Sequence, residues 1–229
     1  MYKIAIDGPG GAGKSTVAKA VAAALHITYV DTGALYRTIG LYVKNHETDP
    51  HDAAAVTALL PQIHIELTHR DGIQCILLDG KDVGDSIRTQ EISMYASAVS
   101  AIPAVREFLL ATQRDIAKKQ SVIMDGRDIG TVIFPDAEVK IFLTASAENR
   151  AERRFRELRD RGVDADYRII LEEIKTRDHN DSTRAISPLK QAEDAVLLDN
   201  TGFTLEESVN AVMKLIDERL AGRPDYARA

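Results

Sequence analysis

Gly8-Pro9-Gly10-Gly11-Ala12-Gly13-Lys14-Ser15 follows the apolar run Lys3-Ile4-Ala5-Ile6-Asp7 and precedes a helical pattern carrying Val17, Val21, Ala24 and Leu25. The octet satisfies G-x-x-x-x-G-K-[ST] at every fixed position, with the strand before it and the helix after it that this pattern requires. Its chemistry needs these residue types. Glycines let the backbone curl until successive N–H groups point inward at phosphate oxygens. Lys14 is long enough to reach β and γ phosphates, and the Ser15 hydroxyl can ligate Mg²⁺. A helix opening at Ser15 turns its positive dipole end toward the anion. The stretch therefore predicts a nucleoside triphosphate site on a strand–loop–helix unit.

Working outward, strands are expected at Lys3 to Asp7, Ile27 to Val30, Val122 to Asp125, Val139 to Leu143 and Val196 to Asp199. Helices are expected from about Ser15 to Leu25, Ala34 to Asn45, Asp52 to Leu60, Pro103 to Lys119, Ala147 to Arg161, Tyr167 to His179 and Thr204 to Leu220. Pro103 suits a first helical turn. Five short buried strands separated by helices predict a three-layer α/β fold with a parallel sheet, whose ligands sit beyond the carboxyl ends of the strands. Between Ile63 and Val83 the period changes to two, and Asp71-Gly72 is a hairpin signal, so a small antiparallel insertion is expected there. The tail after Gly222 is expected to fray.

The 229 residues hold 35 Asp plus Glu against 29 Lys plus Arg, a net charge of −6, which argues against a dedicated nucleic-acid binder. One cysteine, Cys75, excludes an internal disulfide and reads as a small buried hydrophobe in a strand. Asp7 interrupts the first apolar run, so no signal-peptide core is expected. No window approaches the roughly 20 apolar residues of a membrane span, and a soluble, cytoplasmic protein is expected.

Several classes share such a phosphate loop. A GTPase should show an N-K-x-D motif, which is missing; a helicase or transporter ATPase should be longer and end an apolar run in a hydrolytic acid. Val122-Ile123-Met124-Asp125 could pass for that run, but Gly126-Arg127-Asp128-Ile129-Gly130-Thr131 follows it and offers a cation to a second phosphate. Asp31-Thr32-Gly33-Ala34-Leu35-Tyr36-Arg37 places a hydroxyl and a bidentate guanidinium at a helix start. Two anion sites imply a donor and an acceptor phosphate. The arginines at 150, 153, 154, 156, 159 and 161 alternate with Glu148, Glu152, Glu157 and Asp160. They read either as a solvated helix with i,i+4 pairs or as a mobile lid that brings one or two guanidiniums onto the transferring phosphoryl. Arg177 to Arg184, expected to follow a helix, is too rich in donors and acceptors for a plain linker.

With these motifs the chain resembles the bacterial cytidylate kinase family over nearly its whole length. The resemblance rests on Ile6 through Ser15, Asp31 through Arg37, Asp125 through Thr131, and Ile174 through Leu189 with Arg177, Asp181 and Arg184. It implies ATP plus CMP or dCMP giving ADP plus the diphosphate, with Mg²⁺ as cofactor. It implies that Thr32, Arg37 and Arg127 hold the acceptor phosphate, that Arg177 and Asp181 hold the ribose, and that Ser97, Arg106, Asp128 and Arg184 read the base. Thr32 stands where the family often has serine, which keeps the hydroxyl.

The expected ATP site is Gly8, Pro9, Gly10, Gly11, Ala12, Gly13, Lys14, Ser15 and Thr16, with Ser15 on the metal and Lys14, Arg127 and Arg154 catalytic. Expected regions are a core of 1–32, 99–146 and 190–222, a monophosphate-binding region of about 33–98, and a lid of about 147–185. The expected partners are small molecules, without nucleic acid or membrane, for a monomer. A uridylate, adenylate or nucleoside kinase on the same fold remains an alternative. So does a non-enzymatic nucleotide sensor, although a sensor needs no second phosphate site.

Overall fold

In the computed structural model, residues 1–70, 73–118 and 120–226 are described. They form two compact units, one of residues 1–29 and 119–229 and one of residues 30–118.

A five-stranded parallel sheet comprises β1 (Lys3–Asp7), β2 (Thr28–Asp31), β6 (Val122–Gly126), β7 (Val139–Thr144) and β8 (Val196–Asp199), in the order β2-β6-β1-β7-β8; all of it belongs to the first unit except Val30 and Asp31 at the end of β2. The expected strands and parallel sheet are therefore present. β1 lies between β6 and β7, with Asp7 opposite Gly126 on one side and Phe142 on the other. Both neighbours run parallel to it, so their carboxyl ends gather around the residue that opens the glycine loop. α1 (Lys14–Leu25) and α8 (Leu205–Leu220) bury Val17, Val21, Val212 and Ile216 with Ile4, Ile6, Ile123 and Ile141. A Thr204–Glu207 capping box starts α8. α6 (Ala147–Asp160) and α7 (Tyr167–Thr183) complete the unit.

Two expectations are corrected here. α7 continues four residues past His179, so Arg177 and Asp181 stand one turn apart on a helix rather than in a loop. Ser182 and Thr183 hydroxyls both back-bond to the His179 carbonyl, which lets polar residues continue the helix. The tail does not fray through residue 226. The Met1 ammonium pairs with Asp225, and Tyr226 meets the Tyr2 ring edge-on at 5.6 Å between centroids.

The second unit contains α2 (Thr32–Asn45), α3 (Ala53–Leu59), α4 (Gln90–Val99) and α5 (Pro103–Ile116). An antiparallel sheet in the order β3 (Ile65–Arg70), β4 (Ile73–Leu78), β5 (Lys81–Asp82) is the expected insertion. The Asp71-Gly72 turn lies outside the described residues. Leu67 pairs with Ile76 and Ile65 with Leu78, all packed on a core of Leu35, Ile39, Val56, Ile92 and Leu109. Cys75 pairs with Thr68, next to the Leu67–Ile76 pair and on the side away from Ile65–Leu78, and is half-buried rather than buried. α4 was not anticipated: its Thr89 cap and its buried Ile92, Ala96 and Val99 carry the helical spacing over only three turns. Among the described residues no single helix is long and apolar enough to cross a membrane.

Candidate active site

The glycine loop leaves the end of β1. Gly8 has φ +147°, and a Cβ there would fall 1.9 Å from the Leu143 carbonyl oxygen, so no other residue fits against β7. Gly13, at φ +86°, supplies the left-handed entry to α1. Between them the loop is held from outside. Arg150, only 4% exposed, donates to the Gly10 carbonyl at 2.9 Å, to Ala145 at 2.9 Å, and through both terminal nitrogens to Asp178. The Asn200 amide donates to the Ala12 carbonyl at 3.1 Å, and Arg153 donates to the Asn200 carbonyl at 3.0 Å. With carbonyls taken on the outer side, the loop's N–H groups are left for an anion on the inner side.

Lys14 is buried and donates to the Pro9 carbonyl at 2.7 Å. Burial, and then the Arg127 and Arg177 guanidiniums, hold its ammonium well below the usual lysine range, against the pull of Asp125 and Asp181. An arriving polyphosphate reverses that balance, because it brings negative charge to a crowded cationic pocket. Ser15 donates to Asp125 at 2.8 Å, and Thr16 is exposed on the first turn of α1.

Around the loop sits a second set of charges. Arg127 Nε donates to Asp181 at 2.8 Å. A Cβ at Gly10 would meet Arg177 Nη1 at 3.3 Å and Arg127 Nη2 at 3.4 Å, so both guanidiniums lie against the loop. Burial pushes the Asp181 carboxyl up, but Arg127, Arg177 and Arg184 outweigh it and bring it below the ordinary range. Arg184 Nη2 stands 3.9 Å from the buried Asp128 carboxylate. Residues 129–133 after Asp128 form a wide helical turn, with Ile133 N and Phe134 N reaching back five residues. Asp7 clasps its start, accepting Ile129 N and Gly130 N, both at 2.7 Å. Burial raises the Asp7 carboxyl to about 6 although these two bonds and Lys14 oppose the shift.

In the second unit Asp31 caps α2 through Ala34 N at 2.8 Å and holds Arg37 at 2.9 Å. The Arg37 guanidinium therefore stands over the first turn of α2, where Thr32 is buried. Arg106 donates to the Ser100 carbonyl at 3.1 Å and lies 5.6 Å from the Tyr36 ring centre. Ser97 is half-buried one turn before Ser100, which donates to its carbonyl at 2.8 Å.

Lys14, Arg127, Asp128, Arg177, Asp181 and Arg184 are thus in one network of the first unit, and Thr32, Arg37, Ser97 and Arg106 lie on α2, α4 and α5 of the second. Arg154 pairs with Glu157 at 3.0 Å, one turn along α6, and the arginines seated on the loop and its neighbouring turn are Arg150 and Arg153. The sequence names Arg150 only as one of the helix or lid arginines, and assigns no site role to Asp7 or Asn200. Arg150 carried a signal, since Ala147 and Ala151 mark the helix face that packs inward and Arg150 adjoins it. Asp7 carried another, an acid closing an otherwise apolar buried strand.

A parallel sheet whose central strand opens into G-x-x-x-x-G-K-S, with guanidiniums banked around it, defines a P-loop phosphotransferase. The cytidylate kinase family matches this chain over residues 4–218, and the chain belongs to that family. The cytidylate kinase of Caldicellulosiruptor bescii is 51% identical over 212 residues, covering 93% of this chain and 94% of the relative. The cytidylate kinase of Lactobacillus gasseri is 46% identical over 219 residues, covering 96% and 95%. That of Thermosipho melanesiensis is 45% identical over 217 residues, covering 95% and 97%.

Proposed function

We propose that the chain transfers the γ-phosphoryl of ATP to CMP or dCMP, giving CDP or dCDP and ADP, as a cytoplasmic monomer of pyrimidine nucleotide metabolism. The observation that carries this reading is the buried Asp128–Arg184 pair beside Arg127–Asp181. Cytosine offers a donor at its 4-amino group and acceptors at N3 and O2. Asp128 ionised only accepts, and Arg184 and Arg106 only donate, so the set complements cytosine and opposes uracil. Thr32, Arg37 and Arg127 are assigned to the acceptor phosphate, Arg177 and Asp181 to the ribose, and Ser97 joins the base-reading set. Residues 33–98 are assigned to monophosphate binding, 147–185 to the lid, and the remainder of 1–222 to the core.

Catalysis on this reading is positioning and charge neutralisation, without a covalent nucleophile. Lys14 and Arg127 face the transferring group. Arg154 joins them from the lid, because an exposed pair to Glu157 is weak enough to exchange for a phosphoryl oxygen. Among the described residues no cluster of three or more His, Cys, Asp or Glu could cage a metal. Ser15, with Asp125 behind it, fits Mg²⁺ held mainly by nucleotide phosphates, which needs few protein oxygens. When bound, Mg²⁺ neutralises charge on the β and γ oxygens.

ADP release measured with CMP, dCMP, UMP, AMP and GMP tests the reading. CMP and dCMP should lead, with UMP lower in kcat/KM by roughly 10⁴-fold, the scale set by leaving buried polar groups unpaired. Asp128→Ala should narrow that gap. Equal turnover of UMP and CMP by the wild-type chain would overturn it.

A further inference from the structure

Asp125, one residue before the end of β6, is buried at 4% exposure. Its Oδ2 accepts the Ser15 hydroxyl at 2.8 Å, and its Oδ1 accepts the Tyr29 phenol at 2.7 Å. Ser15 has one hydroxyl proton. Given to Asp125, it leaves the oxygen lone pairs of Ser15 for a cation. Turned the other way, the same hydroxyl would present its proton to the cation and repel it. The orientation of Ser15 therefore depends on where the carboxylate points.

Tyr29 is placed to set that direction. Its ring is built into the core with Ile4, Val17, Val21 and Ile123, and Lys19 of α1 lies 5.5 Å from the ring centre. The phenol reaches Asp125 from β2, across 96 residues of chain, whereas Ser15 reaches it from α1. A buried donor on a packed ring is a rigid stop for a carboxylate whose χ2 rotation is otherwise soft.

We infer that Tyr29 is a positioning residue for the metal side of the phosphate site: through Asp125 it holds the Ser15 hydroxyl in its metal-ligating orientation. The inference rests on the reading that a nucleotide-bound divalent cation meets Ser15. Tyr29→Phe keeps the ring and removes the hydroxyl. Electron paramagnetic resonance of Mn²⁺, titrated into protein saturated with ADP, reads metal affinity directly, and calorimetry with ADP in EDTA reads the nucleotide alone. The Mn²⁺ dissociation constant should rise by about 5- to 10-fold, the scale of losing one net intramolecular hydrogen bond. ADP affinity without metal should stay within about twofold. A role confined to packing would lower thermal stability and leave the Mn²⁺ titration unmoved. A Tyr29→Phe titration superimposed on a normal wild-type one overturns the inference alone. A wild-type chain that bound ADP yet retained no Mn²⁺ would remove the metal reading, and the inference with it.

Discussion

One helix, α6, carries two kinds of arginine. On the side bearing Ala151, Arg150 is buried and makes hydrogen bonds to the glycine loop, to Ala145 and to Asp178, and Arg153 reaches the turn at Asn200. On the outer side, Arg156 pairs with Glu152 and Arg161 with Glu157, each one turn back toward the helix N-terminus and largely in water. Arg154 belongs with this second group by its partner, Glu157. The residue type is the same; the dielectric and the partner differ. A buried guanidinium bonded to fixed carbonyls shapes what it touches, because breaking it strands polar groups. An exposed i,i+4 pair is worth a few tenths of a kcal/mol and leaves its arginine available for other work.

The largest test of that contrast concerns Lys14, at the end of the loop that Arg150 fastens. Lys14→Ala should lower kcat by about 10²–10³-fold, the cost of removing one preorganised donor from a transition state. CMP binding measured by calorimetry should survive. Loss of CMP affinity would show that the loop and the acceptor groups are not separable.

Asp7 tests the same rigidity at the other end of the loop. Its folded pKa of about 6 lies above its unfolded value of 3.8. A raised pKa means that the contribution of Asp7 to stability is complete below the unfolded value and is lost as pH rises through 6. Asp7→Asn does not titrate, so relative to wild type it should gain about 2 kcal/mol between pH 4 and pH 7. Urea denaturation across that range measures it. A difference that stays flat with pH would mean that Asp7 remains ionised throughout, held by Ile129 N, Gly130 N and Lys14.

Smaller again is the contrast within α6 itself. Arg150→Ala should lower the unfolding free energy by about 2–3 kcal/mol, below the usual figure for a fully buried pair because Asp178 is partly in water. Arg154→Ala and Arg156→Ala should each change it by less than about 0.5 kcal/mol. Arg154→Ala should nevertheless reduce kcat, whereas Arg156→Ala should not. Equal destabilisation by all three would erase the distinction between the two faces.

Much of this was legible from local chemistry. The glycine loop, the strands on either side of it and the antiparallel insertion follow from period, turn residues and the few backbone shapes that glycine permits. The motifs at 31–37 and 125–131 could be read because their residues lie side by side in the chain. α4 escaped notice because a three-turn helix with one apolar stripe offers few repeats of the 3.6-residue period. The end of α7 was misplaced because polar residues there look like loop until their hydroxyls are seen bonded to the helix carbonyl.

What the sequence by itself determined is the phosphate loop and the family of charges that serve it. Only the tertiary structure decided which arginine is fastened to Gly10, that Asp7 clasps a turn 122 residues away, and that Tyr29 stands behind Asp125. The reason is physical. Local patterns act through the covalent geometry of neighbouring residues, which the sequence states outright. A hydrogen bond between distant residues exists only after parallel strands have been brought into register, and one guanidinium looks like another until burial separates them.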